Sequence, residues 1–181
     1  MLDLTFPRDL LMTGAIFGVV TFVWTGWAQE RPPHWAWRIA LGIMGLAGCA
    51  LAGLSIPTVI RNWTAPTAIV FGGPSWTFYL IMCALEVIGI AVGAIIVARK
   101  KRSDLIPPIA LADVGIHFFP LAPVFGQPIL YVVAALVTIA AVVAAFPPLK
   151  IAARSFWCGI LAGPVFLTAG AVSFFAANSV L

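Results

Sequence analysis

Residues 105–128, LIPPIALADVGIHFFPLAPVFGQP, set Asp113 and His117 inside an otherwise apolar, proline-rich run. A bilayer core about 30 Å thick is crossed by about 20 mostly apolar residues rising 1.5 Å each. The run is long enough to cross one, which would leave both ionisable groups at depth. The rest of the chain has the same character: of 181 residues, 62% are hydrophobic and 9% charged. The mean hydropathy is +1.10, whereas soluble domains carry roughly 25% charged residues. The sequence therefore reads as an integral membrane protein.

Six apolar runs are predicted to be helices, at residues about 10–27, 39–60, 76–97, 105–119 or slightly beyond, 128–146 and 156–178. They leave no space for a separate soluble domain, so residues 1–181 read as one all-α transmembrane domain, a six-helix bundle. The opening MLDLTFPRD lacks the basic stretch and small-residue cleavage site of a signal peptide, so the first run reads as a retained helix. In the fourth run, Pro120, Pro123, Gly126 and Pro128 predict a helix ending at Phe119, about 22 Å long. Non-helical backbone at that depth needs cover from protein or a water-filled cavity, which suggests an opening at that end. The other reading is that Pro120 only kinks a complete helix.

Small residues at helical spacing predict close packing, since lipid gives helices no hydrophobic reason to associate. Gly14, Gly18, Thr21 and Thr25 form such a stripe in the first run, Gly89 and Gly93 sit in the third, and Gly159, Gly163, Gly170, Ser173 and Ala177 in the sixth. Gly42, Gly45, Cys49 and Gly53 suggest a central place for the second run. The fifth, whose only ionisable residue is Tyr131, reads as a lipid-facing wall. Cys49, Cys83 and Cys158 lie inside apolar runs without a CxxC pair and read as buried small hydrophobes. Tryptophans 24, 27, 35 and 37 around Arg31 and Arg38 mark an interface and make His34 a wet loop residue. Residues 61–75, RNWTAPTAIVFGGPS, are expected to lie along the interface or dip in as a lid, with the Asn62-Trp63-Thr64 sequon as ordinary loop residues.

Eight of the ten Lys and Arg residues follow the first, third and fifth runs. The positive-inside rule then sets both termini outside. The net charge of +4 is accounted for by topology, and no nucleic-acid partner is expected. The expected partners are the lipid bilayer and either further copies of the chain or a larger membrane complex.

Glu86 lies near the middle of the third run on a face with Tyr79, Met82 and Gly93. Counting from Trp76, it is roughly 15 Å deep; counting from Leu105, Asp113 and His117 are roughly 12 and 18 Å from the opposite boundary. An ionised group at the bilayer centre costs at least about 2.5 kcal/mol, so three in two consecutive helices need a reason. Asp113 and His117 at i and i+4 can share a hydrogen bond, with Glu86 completing a triad and Pro120 one turn away. The triad has three readings: a proton, cation or ligand site; a neutral knot that fixes helix register; or a metal site with Met82 or Cys83 close by. GxSxG, HExxH, phosphate-loop and CxxC patterns are absent, so an enzyme is not expected, and the sequence indicates no cofactor. The expected function is a proton- or cation-linked small-solute permease or membrane ligand-binding protein. The alternative is a non-catalytic accessory subunit that docks through the small-residue stripes of the first and sixth helices.

The segment carrying Gly115, His117, Phe118, Pro120, Leu121 and Ala122 follows a G-x-H-F-x-P-L-A pattern. In this central third the chain resembles a group of small bacterial multi-pass membrane proteins. The resemblance implies the bacterial inner (cytoplasmic) membrane and brings no activity with it.

Overall fold

A computed structural model describes residues 2–181. Among these the chain forms six α-helices: α1 (Pro7–Trp27), α2 (Trp35–Arg61), α3 (Pro74–Arg99), α4 (Ile106–Phe125), α5 (Ile129–Ala144) and α6 (Arg154–Asn178). Short 3-10 turns at Ala28–Glu30 and Ser103–Leu105 lead out of α1 and into α4. Five of the helices are long and apolar enough to cross a membrane. The sixth, α5, is apolar but has only 16 residues, about 24 Å at helical rise.

Of the two readings of the fourth run, α4 follows the complete helix: it does not stop at Phe119 but continues to Phe125 through Pro120 and Pro123. Each proline lacks an N–H and crowds a carbonyl one turn back, those of Ile116 and Phe119. Transmembrane helices tolerate this where neighbours cover the freed groups; α2 and α6 likewise hold interior prolines, Pro57 and Pro164. What ends α4 is Gly126, with φ of +62°. Its N–H donates to Pro123 O at 3.2 Å while Gln127 N–H donates to Ala122 O at 3.0 Å, a glycine-terminated helix end. Gln127 is fully buried and pairs with the backbone of Asp3, donating at 2.6 Å and accepting at 3.2 Å. The N-terminal segment is thereby fastened to the α4–α5 turn.

The bundle is organised around α6, which packs antiparallel on α1 and also meets α2, α4 and α5. The α1–α2 seam is close because Gly18 faces Gly48 and Ala52: a Cβ on Gly18 would stand 2.6 Å from Gly48 O. Gly159 and Gly170 do the same for the α1–α6 seam, where added Cβ atoms would meet Ala28 Cβ at 2.6 Å and Phe17 Cβ at 2.9 Å. Gly14 abuts Ser55, and Gly163 abuts Met44 and Thr25. The small-residue stripes of α1 and α6 are thus consumed inside the chain and are not left as docking faces. Thr21 and Thr25 donate to carbonyls one turn back, Phe17 O and Thr21 O, which satisfies their hydroxyls locally.

Two helices sit differently from the sequence reading. α2 is peripheral: Gly42 and Gly53 have open space around them and Cys49 is exposed. Its packing face is Gly45, Gly48, Ala52 and Ser55, one step round the helix. α5 buries Leu130, Val133, Ala134, Val137 and Ala141 against α4 and α6 and turns only its other face, including Val132, Leu136 and Ile139, outward. Of the cysteines, Cys158 alone is buried and Cys83 is intermediate. His34 caps α2, its Nδ1 accepting from Ala36 N–H at 3.2 Å. α3 has Val97 as its one buried residue and packs extensively on α4 alone, so the two three-helix halves of the chain are built differently.

Candidate functional site

The α3–α4 seam sets the site. Gly93 faces Ile109, whose Cγ2 would stand 2.6 Å from an added Cβ, and a Cβ on Gly89 would collide with the Asp113 carboxylate. This close approach levels Glu86 with His117: Oε2 to Nε2 is 3.6 Å, longer than a hydrogen bond and an ion pair only when the imidazole is protonated. The His117 side chain is 8% exposed and that of Glu86 25%. The second imidazole nitrogen, Nδ1, is buried without a hydrogen-bond partner. A buried polar atom left so carries a cost of roughly 1–3 kcal/mol.

Asp113 does not join the pair. The expected i, i+4 hydrogen bond to His117 is absent, because His117 turns across to Glu86 while Asp113 lies one turn along α4 against Gly89, its Oδ2 unpartnered. Among the described residues no three His, Cys, Asp or Glu side chains converge as a metal-holding group. Tyr79 lies beside the pair, its ring 5.9 Å from that of Phe125 in an edge-to-face contact. Met82 and Pro120 are half-buried on the flanking turns and do not line the opening described next.

Because α3 stands off from α1, a cleft of about 300 Å³ lies between α1, α3 and α4 with Glu86 and His117 in its lining. Phe17, Trp24, Tyr79, Phe118 and Phe125 supply aromatic walls. Phe17 meets Phe118 edge to face at 5.4 Å. Toward the N-terminal end the cleft adjoins a wider space of about 590 Å³, the two sharing Ile16, Tyr79 and Phe125. The wider space is bounded by Arg8, Asp9, Trp63, Thr67 and Phe71. The connection between α2 and α3 therefore forms its rim.

Asp9 is a residue that sequence reasoning passed over. It is 4% exposed and accepts from Thr67 Oγ1 at 2.5 Å and from Ala68 N–H at 2.7 Å. Arg8 beside it donates to Trp63 O at 2.6 Å and lies 4.8 Å from the Trp63 ring centroid. The available signal was an acid in the first turn of a helix, ahead of an apolar run. Replacing Asp9 by Ala should release the rim. Losing a charged acceptor costs about 2 kcal/mol, so amide hydrogen exchange at Ala68 should quicken roughly 30-fold. Unchanged exchange there would mean that Asp9 does not hold the segment.

The opposite end of the bundle is tied by charge. Asp104, just ahead of α4, lies 2.5 Å from Arg154 at the start of α6 and 3.2 Å from Arg102. Ser155 donates to Glu30 at 2.6 Å, Ala153 N–H donates to Arg31 O at 3.0 Å, and the Arg31 guanidinium donates to Leu149 O. These contacts join the three connections at the basic end, around a hollow of about 510 Å³.

The fold and composition define a multi-pass helical membrane protein, with an acid–imidazole pair in a cleft between three helices. No family profile, curated protein or solved structure matches the chain.

Proposed function

We propose that the chain is a proton- or cation-linked small-solute permease or membrane ligand-binding protein, and that the Glu86–His117 pair is its working site. The observation that carries this reading is the pair itself: an acid and an imidazole 3.6 Å apart, in the wall of a cleft that widens toward one end of the bundle. An imidazole beside a carboxylate can hold one proton and give it up near neutral pH, and an open cleft provides a route to it. The chain crosses six times, with both termini outside and the basic connections in the cytoplasm; eight of ten Lys and Arg residues at one end support that orientation. The membrane is the bacterial inner membrane, a reading that rests on the G-x-H-F-x-P-L-A resemblance. The rim of residues 62–73 then faces outward, and the Asp104–Arg154 end closes the inner side.

The test is proton flux into liposomes that hold a trapped pH indicator. Wild type should exceed empty liposomes, Glu86→Gln should fall to the empty-liposome level, and His117→Ala should be at least about tenfold slower than wild type. Flux equal in all three and equal to that of empty liposomes would sink the transport reading. A second reading, an accessory subunit of a larger complex or a homo-oligomer, is favoured by α3, which is buried against α4 alone.

A further inference from the structure

We propose that the cleft between α1, α3 and α4 binds a lipophilic organic cation, with Glu86 as its counter-ion and the aromatic side chains as its walls, and that each bound cation displaces one proton from the Glu86–His117 pair. The proposal rests on the function given above and names the ligand class. It follows from what the cleft lining contains and what it lacks. Glu86 is the only carboxylate in that lining, and no Lys or Arg is present. An anion would find no cationic side chain of Lys or Arg, and a carboxylate in the same wall. A sugar or other polyhydroxylated solute would find too few partners: apart from the pair, the side chains with polar atoms are Thr13, Trp24, Tyr79 and Cys83. Thr13 already donates to Asp9 O at 2.8 Å.

A cation with an apolar body satisfies each part of this surface. Its charge meets Glu86, and aromatic faces attract it further by about 0.5–2 kcal/mol each where water is excluded. The hollow and the wider space above it, about 300 and 590 Å³, fall in the usual range for small-molecule sites, roughly 300–1,000 Å³. At the rim the two charged residues are already engaged, Arg8 with Trp63 and Asp9 with Thr67 and Ala68. Arg8 keeps its positive charge in these contacts, and the carboxyl of the adjacent Asp9 offsets it in part.

Proton linkage follows from the geometry. With the cleft empty, a proton taken up by the pair is held between the Glu86 carboxyl and the His117 imidazole, 3.6 Å apart. A ligand cation seated against Glu86 requires the ionised carboxylate and adds a like charge beside any proton on the imidazole, so the pair gives up its proton. The other titratable groups near the pair are Asp113 on α4 and Tyr79 and Cys83 on α3; α1 and α5 bring none to the cleft. Binding should therefore strengthen as pH rises through the range where the pair loses its proton, by at most about tenfold per pH unit for one exchanged proton.

The experiment uses the full chain in lipid nanodiscs and radiolabelled tetraphenylphosphonium, with tetraphenylborate as an anion of the same shape and empty nanodiscs subtracted. Saturable phosphonium binding near one per chain, weakening as pH falls, is expected. Glu86→Gln should lose at least tenfold in affinity, and Tyr79→Leu should lose several-fold while keeping the pH dependence. Each variant should elute and melt like wild type, so that a loss reads on the site. Equal phosphonium binding by wild type and Glu86→Gln, or equal uptake of the borate, would overturn the proposal and leave the cleft as a lipid-filled groove. This result stands apart from the flux result. Binding without flux removes transport but keeps the ligand class, whereas flux without phosphonium binding removes the ligand class but keeps transport.

Discussion

Gly115→Ala is expected to destabilise the protein by about 3 kcal/mol, the upper end of what overpacking by a small group costs. A Cβ on Gly115 would stand 2.7 Å from the backbone nitrogen of Thr138 and 3.1 Å from its Cα. Because these are main-chain atoms of α5, no rotamer change can clear them, and α4 and α5 must move apart. Gly42→Ala is the matched control: nothing lies within 4 Å of its Cβ, so it should be neutral or gain up to about 1 kcal/mol from helix propensity. Thermal unfolding in detergent measures both. Equal midpoints would mean that the α4–α5 seam is looser than described. His117 is two residues along the same helix, so the Gly115 variant should also lose flux.

Arg154→Ala should cost about 2 kcal/mol. Breaking a fully buried ion pair by removing one partner costs about 3–5 kcal/mol, and exposed pairs contribute about 0–1 kcal/mol. Arg154 is 10% exposed and Asp104 20%, nearer the buried case, while Arg102 at 3.2 Å remains to shield Asp104 after the substitution. A double-mutant cycle with Asp104→Ala isolates the pair, and a coupling above about 1 kcal/mol is expected. A coupling near zero would reduce the contact to surface decoration and leave the other ties to hold the basic end. The effect should persist in high salt, because partly buried charges are screened less than exposed ones.

Hydropathy made the helices legible, since runs such as residues 76–97 have no other use for so many apolar side chains. It could not place them. α2 carries small residues on two faces, Gly42 and Gly53 on one and Gly45 and Gly48 on another, and only the partner helix decides which face is used. The two readings of α4 at Pro120 stayed open because proline's cost depends on whether neighbours cover the freed carbonyls, a tertiary matter. The meeting of Glu86 and His117 was legible from depth counting along two antiparallel helices. Asp113 is near both, as the same counting has it, but its carboxylate faces Gly89 of α3 and makes no hydrogen bond to the pair. Asp9 went unnoticed because its partners, Thr67 and Ala68, lie nearly sixty residues on, in a segment without periodicity.

The way α3 is held has a mechanical consequence. α1, α2 and α6 interlock through glycines whose backbones nearly touch, whereas α3 leans on one neighbour along Gly89 and Gly93. The cleft is thus bounded by a three-helix frame on one side and, on the other, by a helix held along a single seam. That helix carries Glu86 and α4 carries His117, so the 3.6 Å contact is set by the α3–α4 seam alone. The glycines of that seam, Gly89 and Gly93, therefore fix the reach of the pair as well as the width of the cleft.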